Sequence, residues 1–252
     1  MKPNHAIHGC IHAAVVLLLA LPIRMAFAGQ ITVAVANEFD FTLDELRQAF
    51  ESVSGHTLSI VPGPSNQLFG RIMDGAAYDI FLSDDMQRPQ ALDASGQGVP
   101  GTRFTYASSR LVLWGISSRT LNEALLKNMA YQSLAITNPR LSHYGEAARE
   151  VLQHLEIWDA IQDKLVLGDN IGQTYQFGIG GDVELALISF SQIIYGRYLQ
   201  AGSYWLVPDD YYSPLLMQGV QLTNNPAAAD FVAFMRSDDG QAIIRSNGYN
   251  TP

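Results

Sequence analysis

Short apolar runs rich in β-branched residues alternate along this chain with amphipathic helical segments, and this alternation restricts the fold more than any other feature. The runs ITVAVA (31–36), TLSIVPG (57–63) and YDIFLS (78–83) are typical of strands. Between the first two, residues 42–55 predict a helix with four apolar residues on one face: Leu43, Leu46, Phe50 and Val53. Strands that alternate with helices form a mainly parallel sheet flanked by helices, so we expect an α/β fold.

The first predicted helix carries characteristic residues at both ends. Thr42 and Glu45 have the spacing of a capping box, and Gly55 is placed to end the helix. The alternation then continues through predicted strands at 110–115 and 133–138. Because no Pro-rich or flexible linker interrupts it, a chain with two lobes would join them by strands that cross between them.

The first 28 residues have the pattern of an export signal. Lys2 precedes an apolar stretch from Ala13 to Ile23, and the small-x-small triplet Ala26-Phe27-Ala28 follows. The apolar stretch is shorter than the roughly 20 residues that span a bilayer. We therefore predict cleavage after Ala28, which also removes Cys10, the one cysteine of the chain.

The mature chain is acidic and contains no cysteine. Removing Lys2 and Arg24 with the signal changes the formal net charge from −9 to −11. A negative surface argues against nucleic acid and anionic membranes as partners. It also repels anions at long range, so an anion site here must be built from local donors.

Enzyme motifs are missing from the sequence. The mature chain keeps three histidines, His56, His143 and His154, and none has metal-ligand spacing. It has no GxSxG elbow, no Walker loop and no GxGxxG motif after a strand. Asp84 and Asp85 could form a metal or acid/base pair, but we interpret them as a solvated loop or a helix cap. The sequence predicts no enzyme activity and no cofactor.

Small polar residues stand where predicted strands lead into predicted helices. Asn37 ends the first strand, and Ser65 opens the second helix. Two later helix starts carry further candidates, namely Ser142, His143 and Tyr144 at one and Asn170 and Ile171 at the other. Helix starts leave backbone N–H groups without partners and carry positive partial charge. If these ends converge, they can bind a small dianion without lysine or arginine.

Across the mature chain the sequence resembles the molybdate-binding proteins of ABC importers. The resemblance rests on the order and spacing of several segments: VAVANEF, PSNQLFGRI, YDIFLSDD, NPRLSHYGEAAREVLQHLEIWD, KLVLGDNIGQTYQF, SFSQI and FVAFMRSDDGQAIIRSNGY. It implies a two-lobed periplasmic-binding-protein fold of type II, in which each lobe is a mainly parallel sheet flanked by helices and the ligand cleft lies between them. We place lobe 1 at 29–107 plus 208–252 and lobe 2 at 108–207.

The function implied by the resemblance is binding of a tetrahedral metal oxyanion in the periplasm. The ligand would be molybdate or tungstate, delivered by a monomeric protein to an ABC permease with its ATPase. Two alternatives stay open: the scaffold binds a different solute, or it has a non-transport role as a sensor or exported enzyme.

The resemblance also implies the ligand-binding residues, which are Asn37, Glu38, Ser65, Tyr144 and Ile171. Ser65 would donate its hydroxyl proton, whereas Tyr144 and Ile171 would donate mainly backbone N–H groups. The metal would be held as its oxyanion and not by direct ligands. Some family members have a tyrosine where this chain has Ser189, so a ligand contact there is an open question.

Glu38 departs from the family pattern, which has a neutral donor at this position. One unit-charge pair at 4 Å costs roughly 4 kcal/mol at an effective dielectric of 20, and a dianion doubles this. That repulsion would cancel a micromolar affinity of about 8 kcal/mol. Glu38 must therefore turn away from the ligand, bind it in the protonated form, or indicate a different ligand. Of these we expect the outward orientation.

Overall fold

The computed structural model describes residues 28–195 and 198–252. The strands of this part of the chain are β1 (Gln30–Ala36), β2 (Thr57–Gly63), β3 (Ile80–Ser83), β4 (Phe104–Ser109), β5 (Leu111–Gly115), β6 (Leu134–Thr137), β7 (Leu165–Gly168), β8 (Leu185–Ser189), β9 (Ile194–Tyr195), β10 (Tyr198–Leu199), β11 (Ser203–Leu206) and β12 (Leu215–Gln221). The α-helices are α1 (Asp40–Ser54), α2 (Ser65–Met73), α3 (Gln87–Ser95), α4 (Glu123–Lys127), α5 (His143–His154), α6 (Ile171–Ile179), α7 (Pro226–Arg236) and α8 (Asp238–Ser246). The predicted export signal lies outside the described residues, apart from Ala28. Within them, no helix is long and apolar enough to cross a membrane.

Two five-stranded sheets organise the molecule. The first has the order β2-β1-β3-β12-β4, and the second has the order β11-β5-β8-β6-β7. We call the first sheet with α1, α2, α3, α7 and α8 lobe 1, and the second sheet with α4, α5 and α6 lobe 2. In the first sheet α1, α7 and α8 pack on one face and α2 and α3 on the other. This two-lobed α/β architecture is the predicted fold.

One strand in each sheet runs against the other four. β12 is antiparallel to both of its neighbours, and so is β5. Each of these strands arrives from the other lobe, since β5 follows β4 and β12 follows β11. A chain that leaves one sheet at the carboxyl ends of its strands enters the facing sheet at the carboxyl ends of that sheet's strands. The entering strand must therefore run antiparallel to its neighbours. The carboxyl ends of both sheets consequently face the cleft between the lobes.

The chain changes sheets at Arg110, between β4 and β5, and again between Leu206 and Leu215. Ser108 lies inside β4 and pairs with β12 of the first sheet. The lobe boundaries near residues 108 and 208 stay predictions.

Helix α1 differs from the predicted helix at its start and on one face. It begins at Asp40, directly after a 3₁₀ turn at Asn37–Phe39, and no side chain caps it. The capping box of Thr42 and Glu45 is therefore wrong, because both residues lie within the helix. Val53 is 75% exposed and not part of the buried face. The helix does end at Gly55, which adopts the left-handed conformation at φ 74°.

The 3₁₀ turn after β1 is held by aromatic side chains beneath it. The ring of Phe39 packs edge-on against Tyr106 at 4.7 Å and against Tyr249 at 5.2 Å. The Tyr249 hydroxyl donates to the carbonyl oxygen of Glu38 at 2.7 Å. All three rings are buried. These contacts fix the backbone of Asn37 and Glu38 at the cleft edge of the first sheet.

Gly145 allows α5 to begin close against the end of β6. A Cβ atom placed on Gly145 would lie 2.3 Å from the carbonyl oxygen of Thr137 and 2.6 Å from the carbonyl carbon of Asn138. The next turns bury a continuous face against the second sheet: Ala147, Ala148, Val151 and Leu152. The absence of a side chain at Gly145 thus lets the start of α5 lie close to β6, with His143 at the cleft surface and Tyr144 behind it.

Candidate functional site

A cleft of about 820 Å³ lies between the two lobes. Its walls come from the turns that follow parallel strands of both sheets, as expected for ligand sites of open α/β sheets. Four of the five predicted site residues line it: Asn37, Glu38, Ser65 and Ile171. Tyr144 is 1% exposed and lies behind the wall. Its neighbours Ser142 and His143 are at the surface of the cleft.

Four helix starts face this cleft, two from each lobe. Asn37 and Glu38 form the 3₁₀ turn after β1, and Ser65 begins α2 just after β2. From the second lobe, α5 begins at His143 after β6 and α6 begins at Ile171 after β7. The N–H groups of a first helical turn lack intrahelical acceptors and carry positive partial charge. These four helix starts therefore present neutral donors that suit an anion.

Ser65 links α2 to the segment after β3. Its side-chain oxygen accepts a hydrogen bond from the backbone N–H of Asp84 at 3.2 Å, and the residue is 5% exposed. Because the hydroxyl acts as an acceptor here, its proton is available to donate into the cleft. Pro64 precedes it and makes no side-chain cap.

The two helix starts of lobe 2 are capped by side chains. Ser142 accepts from the N–H of Tyr144 at 3.2 Å, and Asn170 accepts from the N–H of Gln173 at 2.9 Å. Gln192, which sequence reasoning missed, donates to the carbonyl oxygen of Ile171 at 3.0 Å and lines the cleft. These bonds orient the N–H of Ile171, while the N–H of Tyr144 is already bonded to Ser142.

Glu38 turns toward the interior, so the expected outward orientation is wrong. Its Oε1 atom is inaccessible to solvent and has no hydrogen-bond partner among the described residues. The hydroxyl of Tyr144, from the opposite lobe, is in the same condition. Burial raises the pKa of Glu38 well above its usual value, and the carboxylates of Asp84 and Asp85 raise it further. The backbone N–H of Glu38 and the Tyr144 hydroxyl lie close enough to the carboxyl group to lower this pKa by smaller effects, although Oε1 has no partner with hydrogen-bond geometry.

Asp84, Asp85 and Arg88 form a charged cluster at the cleft. Asp85 is 7% exposed and accepts from the N–H of Arg88 at 3.0 Å, and its other oxygen pairs with the Arg88 guanidinium. Asp84 lies 3.7 Å from the same guanidinium. Asp85 thus bonds to a first-turn N–H of α3, although the N-cap residue of this helix is Met86, and burial of Asp85 shows that the solvated loop is wrong. Their position directly after β3, at the carboxyl edge of a parallel strand, could have identified them as cleft residues.

His143 faces this cluster from lobe 2. Its ring packs on Tyr144 with centroids 4.4 Å apart, and its Nε2 atom is buried with no hydrogen-bond partner within the described part of the chain. Burial lowers the pKa of His143, an effect that Asp84 and Asp85 oppose and Arg88 reinforces. The His143 ring is therefore a polar group of the cleft. The sequence predicted its position at a helix start but assigned it no role.

Ser189 does not reach the cleft. It is fully buried where β8 ends, and its hydroxyl lies 2.8 Å from the Ser109 hydroxyl and 2.7 Å from that of Ser191. It is not among the residues that line the cleft. Among residues 28–195 and 198–252, no group of three or more His, Cys, Asp or Glu side chains is arranged to hold a metal ion.

Comparison with known proteins identifies the family. Residues 31–250 match the family described as bacterial extracellular solute-binding protein. The chain belongs to this family. The family assigned from the sequence is therefore confirmed, and membership of this solute-binding family implies a periplasmic location.

Relatives of this solute-binding protein match most of its length. It is 36% identical over 248 residues to the molybdate-binding protein ModA of Rhodobacter capsulatus, which covers 96% of each chain. It is also 36% identical over 229 residues to ModA of Azotobacter vinelandii, with 89% of this chain and 91% of the relative covered. The solved periplasmic molybdate-binding protein of A. vinelandii matches with a TM-score of 0.79 and 33% identity, over 88% of this chain and 99% of that one. The two-lobed type II fold is confirmed by this match.

Proposed function

We propose that this protein binds molybdate or tungstate in the cleft and delivers it to the permease of an ABC importer, which its ATPase drives. The observation that carries the proposal is the convergence of four helix starts, from both lobes, on one cleft. The similarity to two molybdate-binding proteins and to a solved periplasmic molybdate-binding protein supports the choice of ligand.

Neutral donors explain how an acidic protein can bind a dianion. With the predicted signal removed, the formal net charge of −11 opposes long-range attraction of anions. Backbone N–H groups and a hydroxyl act only at contact distance, and hydrogen bonds to a charged partner contribute about 1.5–3 kcal/mol each. A small number of such bonds accounts for micromolar binding, which is about 8 kcal/mol.

We assign the oxyanion to Asn37, Glu38, Ser65, Tyr144 and Ile171. Asn37 and Ser65 donate from lobe 1, and Ile171 donates its N–H from the start of α6. The N–H of Tyr144 is bonded to Ser142 in this structure, so it either shares its proton or releases Ser142 when ligand arrives. We expect the lobes to approach each other so that donors from both reach one small ion.

The volume of the cleft supports a closing motion. A tetrahedral oxyanion has five heavy atoms, whereas the cleft measures about 820 Å³, a size typical of drug-sized ligands. Closure about the two crossings between the sheets would bring the lobe 2 helix starts to the ion bound on lobe 1. The closed form would be the one that docks on the permease. We place the lobes at 29–107 plus 208–252 and at 108–207.

We further propose that the chain is cleaved after Ala28 and acts as a periplasmic monomer without turnover. The backbone nitrogen of Gly29 donates to Nδ1 of His56 at 2.9 Å, and a Cβ on Gly29 would lie 2.7 Å from Ala227. The first residue of the mature chain is therefore fitted into lobe 1. Mass spectrometry of the exported protein should give Gly29 as the N-terminus, and another first residue would contradict the assignment.

Titration calorimetry of the mature protein tests the ligand. Molybdate and tungstate should bind with micromolar or tighter affinity, and sulfate and phosphate at least about tenfold more weakly. The ligand should be recovered unchanged after incubation. Preference for sulfate or phosphate, or no binding of any of the four anions, would contradict the proposed function.

A further inference from the structure

Building on the proposed function, we propose that the oxyanion is bound together with one proton carried by Glu38. The cleft then captures a dianion and a proton as one unit, and its affinity depends on pH. The observation behind this is a buried carboxyl oxygen without a partner at the wall of an anion-binding cleft.

The polar groups around Glu38 lack the partners that an ionised carboxylate needs. Its Oε1 atom and the neighbouring Tyr144 hydroxyl of lobe 2 are both buried, and neither has a partner with hydrogen-bond geometry within the described residues. The Oδ1 atom of Asp84 also has no hydrogen bond, and the charged group nearest to it is the Arg88 guanidinium at 3.7 Å. Buried polar atoms in folded proteins are nearly always hydrogen-bonded. Several unsatisfied atoms around one cleft indicate that a further group completes this network.

The charges around Glu38 favour its neutral form. The titratable groups that act on it are Asp84 and Asp85 from the segment after β3, Tyr106 of β4, Tyr144 of α5 and Tyr249 near the C-terminus. No cation is among them. Arg88 is engaged by Asp85 and lies near Asp84. A bound dianion adds two more negative charges, which stabilise the protonated acid further.

A protonated Glu38 removes the repulsion between its carboxylate and the dianion, and it supplies the hydrogen-bond donor that an ionised carboxylate lacks. The neutral carboxylic acid has one O–H, which can donate to an oxygen of the ligand, and its other oxygen can accept from the Tyr144 hydroxyl. The proton comes from solvent and stays on the carboxyl group, so no covalent bond of the ligand changes. Tyr144 belongs to lobe 2 and Glu38 to lobe 1, so the network also joins the lobes around the ligand.

His143 is the competing proton carrier. Its buried Nε2 atom faces the same cleft, and Asp84 and Asp85 favour its charged form. Burial and the neighbouring Arg88 disfavour that form. Glu38 stands at the turn where the ligand is assigned, whereas His143 faces the charged cluster, so the structure favours Glu38. The experiment must separate the two.

Calorimetry of molybdate binding from mildly acidic to mildly alkaline pH tests the inference, with wild type and Glu38→Gln side by side. Wild-type affinity should fall by up to about tenfold per pH unit above the pKa of Glu38. Glutamine is a permanent donor of the same shape, so Glu38→Gln should change by less than about threefold over this range. Titration of molybdate itself affects both proteins equally and cancels in their ratio.

Two further measurements keep the inference testable if the variant is unstable. Wild type titrated at alkaline pH in two buffers of different ionisation enthalpy should take up about one proton per ligand. His143→Gln should keep the pH slope of wild type. Equal slopes for wild type and Glu38→Gln, or loss of the slope in His143→Gln, would overturn the inference and leave the proposed function standing. Absence of molybdate and tungstate binding by wild type at every pH would overturn both.

Discussion

The hydroxyl oxygens of Ser109 and Ser189 lie 2.8 Å apart and join the end of β4 in one lobe to the end of β8 in the other. Both side chains are buried. The carbonyl of Arg110 accepts from the N–H of Phe190 at 2.8 Å, and the Arg110 guanidinium lies over the Phe190 ring at 4.5 Å. These contacts therefore hold the two lobes together where the chain crosses from β4 to β5, and closure of the cleft must bend the chain around this point.

Removing one hydroxyl of this pair should destabilise the protein, because the hydroxyl that remains is left buried without its partner. Ser189→Ala leaves the Ser109 hydroxyl buried without this partner, at a cost of about 1–3 kcal/mol. In the double variant with Ser109→Ala, no orphaned group of this pair remains, so the cost should be less than the sum of the two single variants. Denaturant unfolding of all four proteins measures the coupling, and strictly additive costs would show that the hydroxyls do not interact.

Ser65→Ala should weaken molybdate binding by roughly ten- to a hundredfold, because a hydroxyl donor to a charged ligand contributes about 1.5–3 kcal/mol. The variant also loses the bond from the Asp84 N–H. The unliganded protein should therefore lose about 1 kcal/mol, or 2–4 °C of melting temperature. Ser52→Ala, on the exposed side of α1, is the matched control and should bind normally. Unaltered affinity in Ser65→Ala would remove this hydroxyl from the site.

Gly145→Ala should lower both stability and affinity. Its new Cβ would meet the carbonyl oxygen of Thr137 at 2.3 Å, which forces the start of α5 away from β6. We expect a loss of about 1–3 kcal/mol by overpacking, together with weaker binding because Tyr144 and His143 move. In Gly70→Ala, within α2, the added Cβ meets nothing within 4 Å. That control should gain up to about 1 kcal/mol. Equal melting temperatures and affinities in the two variants would contradict the tight fit at Gly145.

The sequence predicted the strands and helices well because each apolar run has the length and bounding residues of one element. It placed β1 within one residue and started α2 at Ser65. It failed at the start of α1, because the 3₁₀ turn at Asn37–Phe39 is set by the packing of Phe39 on Tyr106 and Tyr249. Those rings are distant in sequence, and no local pattern reveals the contact.

The sequence predicted which residues come to the candidate site better than it predicted the orientations of their side chains. Position after a strand brought Asn37, Ser65 and Ile171 to one cleft, as the topology of parallel strands requires. The inward turn of Glu38 was not predictable, because it depends on a pocket formed with Tyr144 from the other lobe. The burial of Ser189 likewise follows from its contact with Ser109.

Glu38 should make the unliganded protein more stable as the pH falls. Its folded-state pKa is raised by burial and by Asp84, so the folded state binds more protons than the unfolded state between the ordinary glutamate pKa, about 4.3, and the raised value. Stability from this group is fully present below the ordinary pKa and is lost as pH rises through the raised one. Glu38→Gln never ionises. It should therefore exceed wild type by about 1–3 kcal/mol at alkaline pH and match it at acidic pH.

Thermal melts of unliganded wild type and Glu38→Gln across this range measure the difference directly. Glu156→Gln, an exposed position at the end of α5, is the control and should follow wild type within about 0.5 kcal/mol at every pH. A Glu38→Gln protein that is less stable than wild type at alkaline pH would mean that the ionised carboxylate has a stabilising partner. The buried, unpartnered Oε1 atom predicts the opposite.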